Sequence, residues 1–246
     1  MIVLQPDSVP PMNRVIEPEW LDELPPDDRD ARRSRLDLRR LNRILGHARP
    51  LAGALAPVLA TQDRPRVADV GAGDGTFALR LARRLPRPRH GGEFVLVEKH
   101  KLRSAGLASA FAGLGWDLRF VEADALEWLE SDAAGQLDAT LANLFLHHFQ
   151  ERWLGRLFAG IAAHSACFAA CETRRSSVAL AASHWVGAIG CRSVTRHDAV
   201  VSVRSGFRDS ELTRLWPART GWQTEEHRLG WCSHWFMARR VECPGN

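Results

Sequence analysis

The chain is 246 residues long, and 45% of its residues are hydrophobic while 25% are charged. That length and composition are typical of one large folded domain, so they exclude a mainly disordered chain and leave little room for a second full domain. The net charge of +4 comes from arginine pairs dispersed along the chain rather than from one basic stripe, which argues against nucleic acid as a partner.

The sequence also lacks the features of an exported, membrane-spanning or disulfide-stabilised protein. It begins without the basic start and apolar core of a signal peptide, and no apolar run has membrane-spanning length, so we expect a cytoplasmic protein. Five cysteines without a C-x-x-C pair argue against a disulfide framework and against a common zinc site, so no metal is expected.

The N-terminal part predicts an arm followed by two helices. Six prolines among residues 1–26 favour an arm that is extended or loosely packed. Two aspartates can cap a helix over 29–45, where Gly46 offers a stop, and a second helix is predicted over 50–60.

From residue 66 onward, short apolar strands alternate with helices. The predicted strands cover 67–70, 94–97, 118–122, 139–143 and 167–171, and the predicted helices cover 76–85, 101–114, 125–131 and 150–163. Elements that alternate at these lengths are typical of right-handed βαβ units, so we expect a parallel sheet. The tail is predicted to hold a helical stretch at 177–190, an irregular segment, a short helix at 209–216 and two strands at 222–228 and 234–240.

The most informative stretch joins the first predicted strand to the helix after it. It reads Val-Ala-Asp-Val-Gly-Ala-Gly-Asp-Gly-Thr and places glycines at Gly71, Gly73 and Gly75. Alternate glycines let the backbone turn tightly and approach a bulky ligand, while the following helix aims its free N–H groups at that ligand. The spacing differs from the G-x-G-x-x-G of a dinucleotide site, and the charges of Asp69 and Asp74 suit a ligand with a cationic amino group.

This stretch resembles the first motif of the class I S-adenosylmethionine-dependent methyltransferases, in which an acidic residue precedes G-x-G-x-G. The resemblance extends over residues 66–173 and implies an α/β, Rossmann-like fold with a mostly parallel seven-stranded sheet, a closing antiparallel hairpin and an N-terminal helical extension. It implies S-adenosylmethionine as the cofactor. Residues 1–60 would then be an arm and helices of the same domain that cover the substrate, and residues 61–246 the methyltransferase domain. The loop residues implied in cofactor binding are Asp69, Gly71, Ala72, Gly73 and Asp74.

Further cofactor contacts are predicted at the carboxyl ends of the strands, where open α/β sheets bind their ligands. Glu98 closes the second predicted strand, a position at which an acid can hold ribose hydroxyls, and Lys99 follows it. The resemblance implies that Asp124, followed by Ala125, accepts the adenine amino group. It also implies that Asn143 faces the methionine part of the cofactor.

Histidines near the predicted cofactor site are candidates for a general base. Methyl transfer to a hydroxyl requires that the acceptor be aligned and its proton removed, and histidine suits that proton transfer near neutral pH. His147 and His148 follow the fourth predicted strand in a Leu-His-His sequence similar to that of small-molecule methyltransferases. His197 lies in the irregular segment that could fold over the cleft. A structural role for each histidine stays open.

Residues after the fifth predicted strand are candidates for binding the acceptor. Arg174 and Arg196 could bind an acidic or phenolate-bearing acceptor, although both can equally be solvated charges. The apolar stretch around Trp185 suggests a lid or a helix of the acceptor pocket. The tail at 189–207 also resembles that of methyltransferases encoded alongside bacterial type III polyketide synthases, which implies O-methylation of an aromatic or polyketide-like hydroxyl.

Other functions stay open at this point. An RNA methyltransferase would bind RNA with an affinity that falls steeply with salt. A protein methyltransferase, a non-catalytic cofactor-binding partner subunit and, most distantly, an oxidoreductase are further alternatives. We expect a small-molecule acceptor, neither nucleic acid nor a membrane span, and a monomer or homodimer.

Overall fold

The protein is represented by a computed structural model that describes residues 12–100, 102, 104–217 and 221–241. The strands are β1 (Arg66–Val70), β2 (Gly92–Glu98), β3 (Trp116–Glu122), β4 (Ala139–Asn143), β5 (Cys167–Thr173), β6 (Trp222–Leu229) and β7 (Ser233–Arg240). They form one seven-stranded sheet in the order β3-β2-β1-β4-β5-β7-β6. Strands β1 to β5 are parallel, while β7 is antiparallel to both β5 and β6. The predicted Rossmann-like sheet with a closing antiparallel hairpin is therefore confirmed.

The helices that the structure describes are α1 (Trp20–Glu23), α2 (Arg29–Leu45), α3 (Ala48–Leu59), α4 (Thr76–Ala82), α5 (Leu107–Ala112), α6 (Ala125–Glu130), α7 (Glu151–His164), α8 (Ser177–His184), α9 (Ser193–Ser205) and α10 (Glu211–Leu215). Short 3₁₀ turns cover Leu146–His148 and Val186–Ile189. Helix α2 has the predicted bounds because Asp28 caps its first turn and Gly46 ends it in the left-handed conformation.

Two predicted segments differ from the structure. The segment predicted as irregular is helix α9. Asp37 of α2 accepts a hydrogen bond from Arg192 N, just before α9, and so ties the start of α9 to a distant part of the chain. The helix predicted over 101–114 is shorter, since α5 begins only at Leu107 after a glycine in the left-handed conformation. Residues 101 and 103 of that prediction lie outside the described residues.

Helices cover both faces of the sheet and bury its central strands. On one face α3 packs over the sheet through Leu51 and Leu55, and on the other α7 packs through Leu157 and Phe158, all fully buried. Complete burial of one such side chain contributes about 1.5–3 kcal/mol. The carboxyl ends of the parallel strands are left at one edge, beside α1 and α2. Among the helices described, none combines the length and apolar character needed to cross a bilayer.

The segment that precedes α1 is fastened to the carboxyl edge of the sheet. The Arg14 guanidinium donates hydrogen bonds to the carbonyl oxygens of Ser205 (2.8 Å) and Phe149 (2.9 Å). Arg175, two residues after β5, donates from Nε to the carbonyl oxygen of Met12 at 2.8 Å. Because hydrogen bonds from charged donors are stronger than neutral ones, these contacts fix the path by which the chain reaches α1.

Candidate active site

A cavity of about 240 Å³ lies at the carboxyl ends of β1, β2 and β4. Its floor is the glycine loop, residues 71–75, and its roof is formed by α1 and α2. The residues predicted for the site that line this cavity are Asp69, Gly71, Ala72, Gly73, Asp74, Glu98, Asn143, His147 and His148. The cavity therefore brings together the candidates that follow β1, β2 and β4.

Two positions of the glycine loop depend on the absence of a side chain. Gly71 has a φ of +70°, and a Cβ there would come within 2.1 Å of Cδ2 of Phe145. Gly73 has a φ of +55°, and a Cβ there would meet no described protein atom within 4 Å, although the residue lines the cavity. Glycine at Gly71 thus permits close packing, whereas glycine at Gly73 leaves space for a ligand to approach the backbone.

Asp69 places a buried carboxyl group at the cavity wall. Within the described part of the chain, its Oδ2 has no hydrogen-bond partner. Complete burial, assisted by the charge of Glu98, raises the pKa of Asp69 well above its usual value. A buried carboxyl group without a partner is costly unless a donor satisfies it, so Asp69 is a candidate to accept a hydrogen bond from a ligand.

The carboxylates of Glu98 and Asp74 are held by the loop around them. Glu98 accepts a hydrogen bond from Gly73 N at 2.9 Å and therefore faces the glycine loop. Asp74 accepts from Thr76 N through Oδ1 and from Nε of Arg39 through Oδ2, the latter at 2.6 Å. Arg39 belongs to α2, so this ion pair joins the roof of the cavity to its floor. Arg39 was not predicted as a site residue, because only the tertiary contact with Asp74 distinguishes it from the other arginines of α2.

Asn143, at the end of β4, is fixed in one orientation. Its Oδ1 lies 2.7 Å from Nδ1 of His47, and its Nδ2 donates to Oδ1 of Asn42 at 2.9 Å. Since an amide oxygen only accepts, His47 donates from Nδ1 and accepts from Ser233 Oγ at Nε2. Burial lowers the pKa of His47, which agrees with this neutral form. The amide of Asn143 is consequently held rigidly at the cavity.

Three residues predicted for cofactor binding do not line the cavity. Asp124 caps α6 by accepting hydrogen bonds at Oδ1 from Leu126 N (2.8 Å) and Glu127 N (3.4 Å). Ala125 is buried in the core, and Lys99 is exposed. An aspartate between a strand and a helix is a common helix cap, so its position after β3 has a structural explanation. Contact of Asp124 with the adenine stays a prediction.

His147 is the centre of a buried charge network. Its Nδ1 lies 2.7 Å from Oε2 of Glu172 in β5, and its Nε2 lies 3.3 Å from Oε1 of Glu19 in the segment before α1. Burial disfavours the charged imidazole, but the hydrogen bonds to these two carboxylates outweigh it and raise the pKa of His147 to about 10. Burial also opposes ionisation of Glu19, yet the hydrogen bond from His147 and the nearby histidine charges lower the pKa of Glu19 to about 2. His147 is thus an imidazolium at neutral pH, and its two ring nitrogens already face carboxylates, which argues against a role as base.

The other two candidate bases have different surroundings. His148 lines the cavity, and its Nδ1 lies 3.4 Å from Oδ2 of Asp22 in α1. His197 lies in α9 rather than in an irregular segment, and it does not line this cavity. Its ring stacks on Trp20 with centroids 3.8 Å apart, and its Nδ1 lies 2.9 Å from Oδ1 of Asp198. Only His148 combines access to the cavity with a nitrogen that is not buried in an ion-pair network.

The residues predicted for acceptor binding lie elsewhere, and other residues take that position. Arg174, Trp185 and Arg196 do not line the cavity, and Trp185 is 74% exposed. The roof instead presents leucines from the N-terminal part of the chain, Leu21 and Leu24 around α1 and Leu38 in α2. The sequence signal for Leu21 and Leu24 was weak, because isolated leucines among prolines and acids form no helical or strand periodicity. Leu38 lies on the apolar face of the helix predicted over 29–45, and that periodicity did not distinguish a cavity-lining residue from a core residue.

Comparisons with known proteins agree with this fold. Residues 67–166 match a family model described as a methyltransferase domain. No curated protein sequence matches the chain at a significant level. The plantazolicin methyltransferase BpumL, solved in complex with SAH, superposes with a TM-score of 0.62 at 12% identity, over 87% of this chain and 92% of that one.

Two further solved structures are similar over most of the chain. An O-methyltransferase family protein from Burkholderia thailandensis has a TM-score of 0.54 at 16% identity, over 87% of this chain and 62% of that one. The mitomycin 7-O-methyltransferase MmcR has a TM-score of 0.57 at 15% identity, over 90% of this chain and 60% of that one. The chain thus spans less than two thirds of the length of these two proteins. Sequence identities this low show a shared fold, and they do not show which substrate this chain uses.

Proposed function

Because residues 67–166 match a methyltransferase domain and the fold is similar to that of a solved methyltransferase, we propose that the chain is a class I S-adenosylmethionine-dependent methyltransferase. We propose further that it methylates a hydroxyl oxygen of a small molecule, of an aromatic or polyketide-like type. The observation that carries this proposal is the position of His148 in a cavity that is lined in part by the leucines of its roof. A base beside a partly apolar cavity suits a small hydroxylated acceptor.

The residues of the cavity fit the cofactor. Asp69 has an unsatisfied carboxyl oxygen suited to an amino group, and Glu98 ends β2 where ribose hydroxyls are bound in this fold class. Gly73 leaves the backbone open to close approach, and Asn143 presents a fixed amide. When bound, S-adenosylmethionine supplies an electrophilic methyl group on a sulfonium and leaves as a neutral thioether. The protein then has to align the acceptor and remove its proton.

The roof provides the surface for the acceptor. Leu21, Leu24 and Leu38 line the cavity and give it apolar surface. The ion pair between Arg39 and Asp74 holds α2 over the loop and so keeps these side chains at the cavity.

His148 is the residue that we assign to proton removal. Its ring lies on the cavity wall, where Nε2 can accept the proton of a hydroxyl while Nδ1 faces Asp22. His147 is already protonated and paired with Glu19 and Glu172, so it is not available to remove this proton.

The test is methyl transfer from labelled S-adenosylmethionine to a panel of phenols and hydroxylated polyketide-like compounds, with total RNA and a protein mixture assayed in parallel. We expect turnover on one or more hydroxylated compounds. His148→Ala should lower kcat by about 100-fold or more, as expected for loss of a general base, while leaving the cofactor Kd unchanged. The matched control, His197→Ala, should keep kcat within about threefold, because its ring lies outside the cavity.

Several results would contradict the proposal. Methylation of RNA or protein alone would favour the corresponding alternative. Cofactor binding without turnover on any member of the panel would favour a non-catalytic partner subunit. Full activity of His148→Ala would remove the assigned base.

A further inference from the structure

Asp22 is the charged side chain of α1 that approaches His148. Its Oδ2 lies 3.4 Å from His148 Nδ1. The other charged groups near His148 are Glu19 and the His147 imidazolium, whose ring centroid lies 4.3 Å from that of His148. Both of these groups are buried and already paired with each other. Asp22 is 59% exposed at its side chain, so its carboxylate can move toward the imidazole.

The position of Asp22 is determined by tertiary contacts rather than by the helix that carries it. Helix α1 has four residues, too few to be stable by itself. The side chain of Asp198 in α9 accepts hydrogen bonds from Trp20 N at 2.9 Å and from Leu21 N at 3.1 Å, which caps the start of α1. On the residue before the helix, Glu19 is anchored to His147. Asp22 is therefore held near the cavity wall by α9 and by the buried charge network.

A carboxylate at Nδ1 has a specific consequence for a histidine base. The neutral imidazole carries its proton on one nitrogen and its lone pair on the other, and a carboxylate near Nδ1 favours the form with the proton on Nδ1. Nε2 then has the lone pair that accepts the acceptor's proton. Once Nε2 is protonated, the same carboxylate stabilises the imidazolium.

We propose that Asp22 is a positioning residue for His148, holding its imidazole in the Nδ1–H form with Nε2 directed at the acceptor hydroxyl. This inference rests on the proposed role of His148 as the base. The separation of 3.4 Å exceeds the 2.7–2.9 Å of a charge-assisted hydrogen bond. Catalytic hydrogen bonds commonly tighten when the substrate binds, and rotation of the exposed Asp22 side chain would shorten this one.

The experiment compares Asp22→Asn, Asp22→Glu and the control Glu23→Gln, an exposed acid next to Asp22 that does not line the cavity. We expect Asp22→Asn to lower kcat by about 10- to 100-fold with KM and the cofactor Kd nearly unchanged. Asp22→Glu should recover most of the activity, because it restores a carboxylate. Glu23→Gln should behave as the wild type.

A second readout does not require turnover. Nitrogen NMR of histidine-labelled protein distinguishes the two neutral tautomers, and the His148 signals are identified by their loss in His148→Gln. We expect the Nδ1–H form in the wild type and a shift toward the Nε2–H form in Asp22→Asn.

The outcomes separate this inference from the proposed function. An inactive His148→Ala enzyme together with unchanged kcat and tautomer in Asp22→Asn would overturn the role of Asp22 and leave the base in place. A fully active His148→Ala enzyme would overturn both. A loss of kcat in Asp22→Asn that Asp22→Glu does not recover would indicate a merely structural effect and would also overturn the role of Asp22.

Discussion

Alanine substitutions at three glycines separate the effects of backbone strain, packing and ligand access. Two of these glycines lie in the glycine loop, and Gly46, which ends α2, is the control. Gly46, Gly71 and Gly73 all have positive φ, so each alanine costs about 1 kcal/mol of strain in the left-handed region. At Gly46 a Cβ meets no described atom within 4 Å, so Gly46→Ala reports this strain alone. At Gly71 the Cβ would lie 2.1 Å from Phe145 Cδ2, and such overpacking costs about 1–3 kcal/mol more.

The expected losses of unfolding free energy in urea denaturation are therefore about 1 kcal/mol for Gly46→Ala and about 2–4 kcal/mol for Gly71→Ala. Gly73→Ala should unfold like Gly46→Ala, yet bind S-adenosylmethionine at least about tenfold more weakly in calorimetry, because its Cβ projects toward the cavity. Equal stability of the Gly46 and Gly71 variants would refute the packing argument. Wild-type affinity of Gly73→Ala would refute the assignment of the loop to the cofactor.

Three further predictions concern the carboxylates and the charge network. Glu98→Ala should weaken cofactor binding by about tenfold or more in calorimetry. The control, Glu122→Ala, should not weaken it, because Glu122 lies opposite Glu98 on β3 and does not line the cavity. The pKa of His147 is raised to about 10, so its contribution to stability is complete below pH 6.5 and is lost as pH rises through about 10; urea denaturation should show this decline, and His147→Gln should lack it. Asp198→Ala removes the cap of α1 and should cost about 1 kcal/mol of stability and raise the KM of the acceptor, with cofactor affinity unchanged.

The fold and the glycine loop could be predicted from the sequence because their signals are local. Strands and helices are encoded by hydrophobic periodicity within a few residues, and the seven-stranded sheet of the structure follows the predicted order of elements. The loop with Gly71 and Gly73 was recognisable because positive φ and close packing require glycine at short, regular intervals. A capping aspartate and a ligand-binding aspartate look alike in sequence, which is why Asp124 could not be assigned from the sequence.

The tertiary structure alone determined the roof of the site, the protonation of His147 and the access of His148 to the cavity. Arg39 meets Asp74 across 35 positions of sequence, and Glu19 meets His147 across 128. No local sequence pattern predicts these long-range contacts, because they depend on how α1 and α2 pack over the edge of the sheet. By itself the sequence determined an α/β chain with a glycine loop at a strand end. Burial between two carboxylates, which exists only in the folded protein, makes His147 a cation and leaves His148 at the cavity.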